Sequence, residues 1–221
     1  MKTLTFNRPD GKEVSGYYAE PANGSPAPGV VVIQEWWGLN DQIRAVADRL
    51  AGAGYRALVP DLYRGQVTVE AQEAQHLMGN LNFGEVAGQD IRGAVQFLKR
   101  GSAKVGVTGF CMGGALTLLA AVNVPEADAA ATWYGFPPLE YIDPARIKMP
   151  LQGHFAKDDA FFPISGLDAL EKKLKAGGVT FESYRYDAGH AFANDTGHNY
   201  KREAAELAWG RMLEFFGKAL N

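Results

Sequence analysis

One stretch limits the folds open to this chain more than any other: Gly109-Phe110-Cys111-Met112-Gly113-Gly114. Residues 104–108, Lys-Val-Gly-Val-Thr, lead into it with the alternating apolar and β-favouring character of a strand. Residues 114–121, Gly-Ala-Leu-Thr-Leu-Leu-Ala-Ala, lead out of it as a helix of small apolar side chains. Strand, glycine turn and helix in succession form the nucleophile-elbow pattern G-x-S-x-G, with cysteine in the place of serine. Glycines at 109 and 113 allow main chain to approach where a Cβ would obstruct it. A thiol at that turn sits at a helix N-terminus, where free N–H groups favour thiolate and can hold an oxyanion. Such a turn calls for a sheet to feed it, and a reactive thiol calls for a histidine, an acid and a pocket.

The flanking chain supplies the sheet. Short strands are expected at residues 3–6 and 13–19, joined around the turn dipeptide Asp10-Gly11. Residues 29–34 are apolar on both faces, as a buried parallel strand is. Asn40 or Asp41 caps a helix that carries Ile43, Val46, Ala47, Leu50 and Ala51 on one side, and residues 55–59 return as a strand. Residues 61–84 are polar, with one helix near 69–78, and resemble an insertion over a sheet edge. A helix follows at 85–100. Beyond the elbow come strands at 127–133, 150–155 and 179–186, with helices at 165–176 and 201–218. Strands alternating with helices predict an α/β fold with a mostly parallel sheet covered on both faces and an antiparallel hairpin at its N-terminal edge. No composition shift or repeat divides the 221 residues, so a single domain is expected.

Charge and cysteine usage narrow the function. A net charge of −3 shows no bias toward nucleic acid or an anionic membrane. No apolar run approaches the roughly 20 residues that span a bilayer, and the first residues lack a signal-peptide core. One cysteine permits no internal disulfide, which fits a reducing, cytoplasmic setting. A monomer or homodimer acting on a small molecule is the expectation.

In an open α/β sheet the reactive groups gather at the carboxyl ends of strands. Asp158 and Asp159 follow the 150–155 strand, and His190 follows the 179–186 strand in the loop Asp187-Ala-Gly-His-Ala-Phe192. Nucleophile, acid and histidine then occur in the α/β-hydrolase order. Histidine would take the thiol proton, and the acid would fix its tautomer. His154 competes as the base, but its neighbours and its place before the acid favour a packing role. His76 and His198 lie in polar stretches. These histidines and the lone cysteine are too scattered for a metal site, and no metal or organic cofactor is implied. Aromatic residues cluster at predicted strand ends, among them Trp37, Tyr134, Phe161 and Phe192. Some pack the core, and the rest are expected to line an apolar pocket beside Cys111.

Five motifs in order extend the reading. Gln34-Glu35-Trp36-Trp37-Gly38-Leu39-Asn40, Pro60-Asp61-Leu62-Tyr63, the elbow, the Asp159-to-Pro163 segment and Gly189-His190-Ala191-Phe192 resemble the dienelactone hydrolase family over nearly the whole length. The resemblance implies an α/β-hydrolase fold and hydrolysis of small esters or lactones by a Cys111–His190–Asp159 triad through a thiol acyl-enzyme. It selects Asp159 because the family's acid stands four residues before the proline of this loop. It implies that Glu35 contacts the thiol and holds it neutral at rest, and that the backbone N–H groups of Trp36 and Met112 form the oxyanion hole. One departure concerns the substrate. Asn194 stands where the family places an arginine for a substrate carboxylate, and Arg64 is the remaining candidate for a second such arginine. Hydrolysis of thioesters, a ligand-binding scaffold without catalysis, and a thiol redox sensor are the alternatives.

Overall fold

Residues 29–33, Gly-Val-Val-Val-Ile, leave no polar face, so the strand they form has to be covered on both sides. A computed structural model, which describes residues 2–22, 24 and 26–221, places this strand, β3 (Gly29–Ile33), inside an eight-stranded sheet. In chain order the other strands are β1 (Lys2–Asn7), β2 (Glu13–Ala19), β4 (Arg56–Pro60), β5 (Val105–Phe110), β6 (Ala129–Trp133), β7 (Leu151–Asp158) and β8 (Phe181–Gly189). Their spatial order is β1-β2-β4-β3-β5-β6-β7-β8. The β1–β2 and β2–β4 pairs are antiparallel and all the others parallel, so the expected N-terminal hairpin forms one edge.

Strand alternation divides the core into two layers. Val31 and Ile33 face the layer built with α4 (Arg92–Lys99), α5 (Met112–Asn123) and α6 (Ile164–Ala176). Val30 and Val32 face the layer built with α1 (Asp41–Gly52) and α7 (Arg202–Leu220). Asn40 caps α1 by accepting the N–H of Ile43 at 3.1 Å. α5 is buried along nearly its whole length, which explains its small side chains.

Three expectations change. The 85–100 helix begins earlier, as α3 (Phe83–Glu85), and passes through a π-helical turn, Val86–Ile91, into α4. Side-chain periodicity does not register the one residue that such a turn adds. The 61–84 segment, with α2 (Ala71–Gly79), does not lie outside a sheet edge, because β4 is flanked by β2 and β3. It is pinned instead to the loop after β3, by the Gly38–Val67 bridge and a Thr68 N–H to Trp37 carbonyl bond of 3.0 Å. The 150–155 strand extends to Asp158, so Asp158 ends the strand rather than lying in the loop after it.

His154 is fully buried, with Nδ1 2.9 Å from the Tyr186 hydroxyl and Nε2 3.0 Å from the Gln152 side-chain oxygen. Burial pushes its imidazole down to about 3, helped by the Arg211 cation. The unfolded chain binds that proton near pH 6.5, so this contribution to stability is complete above that pH and falls as the pH drops toward 3. Between pH 6.5 and 5 the loss is about 2 kcal/mol. Urea midpoints at pH 7.5 and 5 should reveal it, and His154→Gln should reduce the difference by that amount. An unchanged pH difference in the variant would assign the acid sensitivity elsewhere.

Candidate active site

The elbow forms because β5 and α5 meet with no room for side chains between them. A Cβ on Gly109 would stand 2.8 Å from Cβ of Ile33, and one on Gly113 would stand 2.6 Å from the carbonyl oxygen of Gln34. Cys111 closes the turn at φ +55° and ψ −113°, a conformation that costs about 1–3 kcal/mol for a residue with a Cβ. The turn is held by Cys111 N–H donating to the Trp133 carbonyl at 3.0 Å.

The loops after β7 and β8 bring the other two groups to it. His190 Nε2 lies 3.1 Å from Cys111 Sγ, and His190 Nδ1 lies 2.7 Å from Asp159 Oδ2. Asp159 is buried, and its Oδ1 accepts the N–H groups of Phe161 and Phe162 at 2.9 and 3.0 Å. Those bonds aim Oδ2 at the imidazole. A carboxylate on Nδ1 requires the proton there, which leaves Nε2 as an acceptor facing sulfur. The rings of Phe161 and Phe162 pack on His190 at 5.0 and 5.6 Å. Asp158, by contrast, is exposed at the strand end, and His76 and His198 are exposed as well.

Burial pushes the Cys111 thiol up, the Glu35 charge pushes it further, the Met112 N–H opposes them, and the Asp159 charge adds a smaller push. The helix N-terminus therefore does not prevail at rest. These neighbours favour the protonated thiol, with Nε2 of His190 3.1 Å away to accept from it.

Glu35, at the end of β3, is buried and bonded on both oxygens. Tyr134 donates its hydroxyl to Oε1 at 3.2 Å, and Asn194 donates Nδ2 to Oε2 at 2.8 Å. Burial pushes its carboxyl up, against the Asn194 bond, the His190 field and the Tyr134 bond. The thiol's hydrogen-bond partner is His190, so Glu35 acts on sulfur through its charge rather than through a bond.

Several expected pocket residues have other places. Tyr134 and Phe192 are fully buried, with rings 5.4 Å apart, so they support Glu35 and the His190 loop from the core side. Asn194 is spent on Glu35. Arg64 has two partners of its own, Asp90 at 2.6 Å and the Asp61 carbonyl at 2.7 Å. Asp90 is a buried carboxylate in the π-helical turn, and it draws the guanidinium to itself. Trp36, Trp37 and Phe161 are at least partly accessible; Phe161 is 70% exposed beside His190. The role of Tyr134 as a hydrogen-bond donor to Glu35 was not visible in the sequence, because 99 residues separate the two.

The sequence pattern of the dienelactone hydrolase family matches residues 14–220. A protein of Methylorubrum extorquens named "Putative carboxymethylenebutenolidase" is 33% identical over 222 residues, covering 92% of this chain and 76% of that protein. Protein usf of Aquifex pyrophilus is 34% identical over 96% of both chains. A solved structure from Klebsiella pneumoniae, described as a "Putative Dienelactone Hydrolase", superposes with a TM-score of 0.87 at 30% identity over 98% of each chain.

Proposed function

The chain belongs to the dienelactone hydrolase family of the α/β-hydrolase fold, whose members are carboxylic ester hydrolases, and we propose that it cleaves small esters or lactones with Cys111 as nucleophile. The observation that carries this reading is the unbroken line from Cys111 Sγ through His190 to Asp159, at 3.1 and 2.7 Å.

His190 Nε2 takes the thiol proton as sulfur attacks the acyl carbon. The sulfur–carbon bond forms and the carbonyl electron pair moves to oxygen, which lies toward the N–H groups of Trp36 and Met112. Collapse of that intermediate breaks the ester bond, and the imidazolium returns its proton to the leaving oxygen. Water, deprotonated by His190, attacks the thioester; the sulfur–carbon bond breaks, the acid leaves, and the imidazolium returns its proton to sulfur. Asp159 stabilises the imidazolium in each half-reaction. The buried, neutral resting thiol suits this cycle, because the thiolate appears only when a carbonyl is in place to receive it. A resting thiolate would also be open to oxidation.

His190→Ala should lower kcat/KM for p-nitrophenyl hexanoate by about 10³-fold and slow alkylation of Cys111 by iodoacetamide. Wild-type rates in the variant would remove the histidine from the chemistry and favour a scaffold that binds without turnover.

A further inference from the structure

Among the described residues, no lysine or arginine forms a hydrogen bond or ion pair with Cys111, His190, Asp159 or Glu35. Glu35 and Asp159 are the charged side chains that act on the thiol, and His190 is its hydrogen-bond partner. Among the described residues, the hydrogen-bond partners of Glu35 are Tyr134 and Asn194, with no lysine or arginine. The arginine that could have balanced this charge, Arg64, is paired with Asp90.

Resting on the ester-hydrolase reading above, we propose that this site selects neutral, apolar esters and turns away substrates bearing a carboxylate, because Asn194 and Tyr134 hold Glu35 as a buried anion beside Cys111.

The orientation of Asn194 is what fixes the sign. Its Oδ1 already accepts the N–H and the hydroxyl of Thr196, at 3.0 and 2.7 Å, so its Nδ2 must face Glu35. Tyr134 has its hydroxyl aimed at the other carboxylate oxygen. Two donors meet Glu35, so the ionised form is the one these hydrogen bonds favour, against the burial that pushes its carboxyl up. A second carboxylate brought beside it would be repelled in a site of low dielectric. It would also lose its water with no guanidinium to replace it. The accessible aromatic side chains are apolar instead: Phe161, exposed beside the histidine, and Trp36 and Trp37, partly accessible just after Glu35 in the chain. Such side chains favour uncharged acyl or alcohol groups.

A matched pair of substrates tests this. p-Nitrophenyl hexanoate and p-nitrophenyl hemiadipate share a leaving group and chain length and differ by a terminal methyl against a carboxylate. The wild-type enzyme is expected to favour the hexanoate by about 30-fold or more in kcat/KM. Glu35→Gln and Asn194→Arg should each narrow that ratio by about 5-fold or more, mainly through KM for the hemiadipate. The hexanoate rate of each variant normalises any change in the chemistry itself. Equal rates on the two esters in the wild type, both lost in Cys111→Ala, would overturn the proposal while leaving the hydrolase reading intact. So would a preference that neither variant moves. Failure of the wild type to cleave either ester would overturn both.

Discussion

Cys111→Ala is expected to lower kcat/KM for p-nitrophenyl hexanoate by about 10⁴-fold or more, with the melting temperature at or above that of the wild type. The size of the loss follows from what the thiol is placed to do. In the proposed mechanism it forms the covalent bond, and neither Asp159 nor His190 can substitute for it in that step. What remains is the proposed donor pair at Trp36 and Met112, which accelerates attack by water far less. Stability should not suffer, because the substitution removes one sulfur from a partly buried position and leaves the elbow main chain unchanged. Steady-state kinetics and thermal unfolding of the same preparation check both halves. Turnover within a few-fold of wild type would rule out the cysteine as nucleophile.

Gly113→Ala is expected to destabilise the fold by about 3 kcal/mol or more, although alanine is the better helix former by about 1 kcal/mol. The clash outweighs the propensity. The new Cβ would collide with the carbonyl oxygens of Ile33 and Gln34, and these belong to the main chain at the end of β3, which cannot rotate away as a side chain would. Relief requires β3 and α5 to separate, and that separation displaces Glu35 and Trp36 together with the elbow. For a chain of this length the melting temperature should fall by roughly 6–12 °C, with loss of ester turnover. Gly210 provides the control. It lies in α7 with open space around its Cβ position, so Gly210→Ala should be neutral or slightly stabilising. Equal melting temperatures for the two variants would show that the elbow tolerates a side chain.

Features set by local chemistry were legible in the sequence. The elbow glycines, the Asn40 cap and the doubly apolar β3 each declare their structure within a few residues. Cys111, the Asp158–Asp159 pair and His190 follow three predicted strands, the family resemblance picks Asp159 from the pair, and the loops carrying Cys111, Asp159 and His190 do converge. Features set by distant pairings were not legible. Glu35 takes its partners from residues 134 and 194, and nothing near Gln34-Glu35-Trp36 indicates that both oxygens will be occupied. Arg64 looked available because its partner, Asp90, reads as one polar residue in an amphipathic helix. The π-helical turn around it leaves no trace in periodicity. Phe192 and Tyr134 were expected at a pocket wall because aromatic side chains suit walls and cores alike. Only the packing of the 190–194 loop onto Trp133 and Tyr186 puts Phe192 in the core.

The nucleophilic role of Cys111 is tested most directly by acid-quenching the enzyme during turnover of p-nitrophenyl hexanoate and measuring the mass of its peptides. A hexanoyl group on the peptide carrying Cys111, formed within the first turnover, accumulating in step with a p-nitrophenol burst when deacylation is the slower step, and absent in Cys111→Ala, is the expected result. Hydrolysis by the wild type with no acyl group on Cys111, even at the shortest quench times and under conditions that slow deacylation, would contradict a thiol acyl-enzyme.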